Sequence, residues 1–137
     1  MRRWLPHLEA LSRRVFGRAA VALVYVAEAH AGDEWPIGWR CSIPQTSGNA
    51  AARAAAAALF VAETGSTLPM ALDTPDDAFD AAYASWPLRA YGLLPPTSPG
   101  AAATLDFVAH PRGDTYDWCD VQEWLLRAAV AHGVKQY

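Results

Sequence analysis

The sequence predicts an α/β sandwich with a mixed sheet. Three observations carry that prediction. Helix-period and strand-like segments alternate along the chain in the order α, β, α, β, α, β, β, α. The first strand candidate, Ala19 to Val26, is a near-continuous valine-rich apolar run, the pattern of a strand covered on both faces in a parallel sheet. The last two strand candidates are joined by a connection of hairpin size, so the sheet begins parallel and finishes antiparallel.

The first helix runs from about Leu5 to Phe16, with Trp4, Leu8, Leu11 and Val15 on one face, Pro6 in the first turn and Gly17 as the stop. Arg2, Arg3, Arg13 and Arg14 solvate its outer face. After the Ala19–Val26 strand comes a long loop, Ala27 to about Gly48. It contains Trp35, Ile37 and Trp39, so it reads as packed and functional. The segment "NAAARAAAAALF" is an alanine-rich helix without functional content that runs to about Thr64 and ends at Gly65. Leu68 to Asp73 is a second strand. A helix follows with Thr74 as N-cap, Pro75 at its first position, and Asp76 and Asp77 in the first turn. Phe79, Tyr83 and Trp86 mark its buried face, and Pro87 stops it. "LRAYGLL" and "TLDFVAH" form the hairpin. The last helix starts near Asp117, with Val121, Trp124, Leu125 and Ala128 inward, and ends at Gly133.

The 137 residues suit one domain with one core. With 53% hydrophobic and 18% charged residues the composition is not that of a disordered chain, and a net charge of −3 argues against a nucleic-acid surface. No apolar run reaches the length of a membrane span. Cys41 and Cys119 lie far apart and form no CxxC, so neither a disulfide framework nor a thiolate metal site is expected, and neither cysteine stands at a strand-to-helix turn that would activate it. Glu28, His30, Asp33 and His110 are the residues a metal would use, but no ligand spacing supports one, and no metal is expected. His7 and His132 fall on outer helix positions.

Glu28 and His30 follow the first strand directly, at the end of a strand where α/β sheets bind ligands. A carboxylate beside a histidine orients the ring and makes it a proton donor, and the same residues suit a solvated polar loop. Both readings stay open on composition alone.

"VYVAEAHAGDEW" resembles the strand and loop of iodothyronine deiodinases, where a VYxxEAHxxDxW pattern recurs. Val24, Tyr25, Glu28, Ala29, His30, Asp33 and Trp35 match, seven positions in twelve. Further along, "IPQ" (Ile43 to Gln45) and "PMALDT" (Pro69 to Thr74) resemble family segments in the same order. So do Ala82, Tyr83, Pro87, Arg89 and Tyr91 of "AYASWPLRAY", and Tyr116 with Asp120 and Val121.

The resemblance implies a thioredoxin-like sandwich and reductive removal of iodine from an iodothyronine-like aromatic ring. A selenocysteine or cysteine takes the iodine, and a thiol cosubstrate regenerates the enzyme. No bound cofactor is implied. Glu28 and His30 would be catalytic, and Tyr25, Asp33, Trp35 and Arg89 would bind substrate. Family members are often membrane-anchored by an upstream N-terminal helix and commonly form homodimers. Pro87, just before a strand, is expected to be the cis-proline of such folds.

The chain departs from the family in three places. Its start, "MRRWLPHLEALSRRV", resembles the family helix just after the reactive T-U-P-P-F-M segment, so the central first strand and the reactive residue are expected upstream. A selenocysteine codon is also a stop codon, and a translation start assigned too late would produce this truncation. Without the central strand, two inner sheet edges would be open and the chain is expected to be unstable and inactive alone. Thr46 stands where many members carry His, and Leu88 where they carry Glu. The alternative is a non-catalytic thioredoxin-like binding module or a repurposed thiol-redox protein. A peroxiredoxin-like domain lacks its peroxidatic cysteine here.

Overall fold

A computed structural model describes residues 4–28, 30–36, 38, 43–85, 89–109 and 118–132. The element order is the one the sequence predicts: α1 (Leu5–Val15), β1 (Leu23–Tyr25), α2 (Ala50–Thr64), β2 (Met70–Leu72), α3 (Ala78–Tyr83), β3 (Ala90–Leu94), β4 (Thr104–Ala109) and α4 (Trp118–His132). The class is mixed α/β with two small sheets, β1–β2 parallel and β3–β4 antiparallel. The elements fall into two compact units, one holding β1, α2, β2 and α3, the other α1, β3, β4 and α4.

In the second of these units, α1 buries Leu5, Leu11 and Val15 and places Arg13 and Arg14 in its last turn, where the helix dipole favours cations. Leu11 and Val15 close a core with Leu125 and Ala129 of α4, flanked by Ala19, Val21, Trp124 and Leu126. The inward face of α4 thus turns slightly from the expected one, with Ala129 buried and Ala128 only half-buried. Trp124 also packs on the hairpin, stacked on Phe107 at 5.5 Å and donating its indole N–H to Asp106 Oδ2 at 2.8 Å. The hairpin register shifts between Gly92 and Leu93.

In the first unit, β1 is shorter than the Ala19–Val26 run, and it is not covered on both faces. Leu23 is buried while Val24 is 40% exposed. The strand has one strand partner among the described residues, β2, and one covered face, with Tyr25 meeting Phe60 of α2 edge-on. Asn49 caps α2 through its side chain to the Ala52 N–H, and Gly65 ends it in the left-handed conformation.

The start of α3 differs from the sequence expectation. The helix is six residues long, and residues 74–77 form a turn closed by Asp77 N–H to Thr74 O at 2.9 Å. The capping carboxylate is Asp73, which accepts from the N–H groups of Thr74 (2.7 Å), Phe79 (2.8 Å) and Asp80 (3.0 Å). Arg53 is the physical reason. Its guanidinium takes the Asp73 and Thr74 carbonyls and the Asp77 carboxylate, so the chain wraps around the cation before it coils. Tyr83 lies 40% exposed, stacked on Phe79. Trp86, Pro87 with its expected cis bond, His110, Asp117 and Gly133 lie outside the described residues. Among the described residues, no helix is long and apolar enough to cross a membrane.

Candidate functional site

The site is built where β1 ends. Tyr25 is the last strand residue, and its hydroxyl donates to Glu28 Oε1 at 2.7 Å. The other oxygen of Glu28 accepts from the Thr46 hydroxyl at 2.8 Å and the Thr46 N–H at 3.2 Å. Both oxygens are therefore occupied, and Glu28 acts as an acceptor at every one of these contacts. The Tyr25 hydroxyl is held well above its ordinary ionisation range by burial, by its hydrogen bond to Glu28 and by the Glu28 charge, against an opposing pull from Arg53.

Gln45 ties the far side of the loop to the same place. Its side-chain oxygen accepts from the Glu28 N–H at 3.3 Å and its side-chain nitrogen donates to the Glu28 carbonyl at 3.3 Å. Its own N–H donates to Asp33 Oδ1 at 2.9 Å, and Gly32 N–H donates to Ile43 O at 2.8 Å. Between these anchors the chain turns tightly, with Trp35 N–H bonded to Ala31 O and Ala31 fully buried.

His30 and Trp35 stand on that turn. Their rings lie 4.9 Å apart, and His30 Nδ1 is 3.3 Å from the Trp35 carbonyl oxygen. A carbonyl only accepts, so Nδ1 carries the proton in this contact and Nε2 of the neutral ring is an acceptor. Trp35 is 62% exposed. The structure thus joins Tyr25 with Glu28, Asp33 with Gln45, and His30 with Trp35. Glu28 orients Thr46 and Tyr25, while the His30 ring is oriented by Trp35. Arg89 belongs to the other unit, half-buried at the entrance of β3.

Arg53 is the site component that the sequence reading missed, and Thr46, Gln45 and Asp73 stood there only within compared segments, without a role. Arg53 is 1% exposed and Thr46 2%. Arg53 Nε donates to Thr46 Oγ1 at 3.3 Å, and its other nitrogens reach Asp73 O (3.2 Å), Thr74 O (2.5 Å) and Asp77 Oδ1 (2.5 Å). The signal was available: Arg53 is the single charge in an alanine run. Such a residue either faces water or has a dedicated partner. Asp73 is buried, which raises its carboxyl. The N–H groups of Phe79, Asp80 and Thr74 and the nearby Arg53 charge more than offset this and hold it below its ordinary value. Among the described residues no group of acidic, His or Cys side chains could hold a metal ion, and Cys119 is exposed at the start of α4.

Compared with protein-family profiles, curated proteins and solved structures, the chain matches none of them.

Proposed function

We propose that this chain supplies the substrate-facing loop of a deiodinase-type oxidoreductase with a thioredoxin-like fold. The observation that supports the reading is the joining of the two motif segments. Glu28 and Asp33 of the first segment are hydrogen-bonded to Gln45 of the second, and Tyr25 and Trp35 each meet another matched residue. The Gln45 contacts carry the weight, because they join residues 17 and 12 positions apart. The mixed sheet content is compatible with that fold.

In this reading, a selenolate or thiolate outside these 137 residues takes iodine from the ring carbon, and that carbon receives a proton. Two thiols then reduce the iodinated selenium or sulfur, forming a disulfide and releasing iodide. Trp35 offers an exposed aromatic face to the iodinated ring, and His30 holds or moves the proton. Glu28 shapes the loop through its three donors and does not itself transfer a proton.

The test begins with the nucleotide sequence upstream of Met1. An in-frame UGA preceded by codons for an apolar strand is expected. The extended protein should release iodide from thyroxine with a dithiol, and His30→Ala should abolish most of that release. Untranslated sequence upstream, together with no iodide release, would sink the enzyme reading.

One observation favours a second reading, a non-catalytic module that binds an aromatic ligand. Thr46 stands where many family members carry His, and it occupies Oε2 of Glu28. Thyroxine binding by the 137-residue chain, with no turnover after upstream extension, would select it.

A further inference from the structure

We infer that Arg53 is a positioning residue for the loop that carries His30 and Trp35, acting through Thr46 and Glu28. The chain of contacts is continuous. Arg53 Nε donates to Thr46 Oγ1 at 3.3 Å, which leaves the hydroxyl proton of Thr46 to point at Glu28 Oε2, 2.8 Å away. Glu28 Oε1 then receives the Tyr25 hydroxyl at 2.7 Å. Arg53 and Glu28 together fix the direction of the Thr46 hydroxyl, because a guanidinium only donates and a carboxylate here only accepts, and Glu28 fixes that of Tyr25.

The other end of Arg53 is equally fixed. Its remaining nitrogens hold two carbonyls and the Asp77 carboxylate, so the side chain cannot swing away without stranding a buried charge. Glu28 lies two positions before His30 in sequence, and the backbone of Glu28 is gripped by Gln45. One anchor of the turn, the Glu28 carboxylate, is therefore referred through Thr46 to a buried cation on α2, and Gln45 holds the other independently of it. A planar fork with five fixed donors suits this role, and a lysine ammonium does not reproduce it.

As a determinant of ligand capture this rests on the function proposed above. As a statement about the loop it is read without ligand, so the two fail separately. The experiment uses the isotope-labelled chain, carrying its upstream extension if the 137 residues do not fold alone, and follows the Trp35 indole and His30 imidazole resonances. Thr46→Val keeps the branched shape without the hydroxyl, and Arg53→Lys keeps the charge without the fork. Both are expected to shift the two resonances, and Thr46→Ser is expected to restore them. Leu68→Ala, at a buried site of the same unit, should lower stability and leave them in place. If Arg53→Lys does not fold, the Thr46→Val and Thr46→Ser pair decides. Resonances unmoved in Thr46→Val, or moved as far in Leu68→Ala, overturn the inference. Thyroxine binding is the second arm. A loss of about tenfold in Thr46→Val is expected, the effect of one hydrogen bond to a charged group. No binding by the unsubstituted chain overturns the reading as a module that binds an aromatic ligand, and the resonances then judge Arg53 alone.

Discussion

The indole of Trp124 occupies the space in which a side chain on Gly92 would begin. A Cβ placed on Gly92 would lie 2.5 Å from Cη2 of that ring and 2.6 Å from Cζ2 and Cζ3. The hairpin register shifts after the same residue, and the ring is stacked on Phe107, the cross-strand partner of Gly92, and bonded to Asp106. The indole is a rigid plane held by a stacked ring and a hydrogen bond, so it has little freedom to yield. Gly92→Ala is expected to lower stability by about 1–3 kcal/mol, the usual cost of forcing extra volume into packed contacts. Urea unfolding of the two proteins would read the difference directly. A midpoint unchanged by the added methyl would show that Trp124 moves aside freely.

Asp73 gives the acid limb of stability. Its folded carboxyl ionises below its ordinary value of 3.8, so the carboxylate contributes stability that is fully present above that pH and fades as pH falls through the folded value. Asp73→Asn is expected to lower stability at neutral pH by about 1–3 kcal/mol, because an amide nitrogen would meet the N–H it replaces an acceptor for. The variant should also lose part of the acid dependence seen below pH 3.8. Thermal melts across that range, compared for the two proteins, check both statements.

The same residue shows how far the sequence could be read. The rule for a helix start was sound, and it pointed to Thr74, Pro75 and two acids. The structure uses Asp73, because a cation 20 positions earlier in the chain claims the turn that would have been the first helical one. Local capping chemistry is legible from neighbours, but a competitor from α2 is not. Element order was legible because hydrophobic periodicity is local. The coverage of β1 was not, because it depends on which elements lie beside the strand. The loop residues Tyr25, Glu28, His30, Asp33 and Trp35 were visible as a pattern. Their division into a half-buried Tyr25–Glu28 pair, a His30–Trp35 ring pair and an exposed Asp33 tied to Gln45 came only with the structure.

Tyr25 governs the alkaline side. Its folded ionisation is raised above the ordinary value of 10.0, so the associated stability is intact below pH 10.0 and is lost as pH rises beyond it. Of the five tyrosines, Tyr25 should be silent in the near-ultraviolet tyrosinate absorbance of the folded chain around pH 10.0. Tyr25→Phe should leave that folded-state titration unchanged and weaken the alkaline loss of stability. A reduced tyrosinate amplitude near pH 10.0 in the variant would contradict this account.

Asn49 offers a test confined to one helix end. Its side chain accepts the Ala52 N–H at 3.0 Å in an exposed setting. Asn49→Ala should cost about 0.5–2 kcal/mol and Asn49→Gly only a few tenths. Chemical denaturation of the three proteins is sufficient, and equal losses for Ala and Gly would show that the cap bond is not the cause.

Helix α2 buries Arg53, Ala56 and Ala57 along one stripe, with Phe60 half-buried beyond them, and leaves Ala50, Ala51, Ala54, Ala55 and Ala58 exposed. A saturation scan of this helix would therefore give an uneven profile. The outward alanines would accept almost any helix-forming residue, and positions 56 and 57 would accept only small ones. Position 53 would form a single deep notch in a stretch that by letter frequency looks like filler. Among descendants of this sequence, the alanines would drift while that one codon stayed fixed.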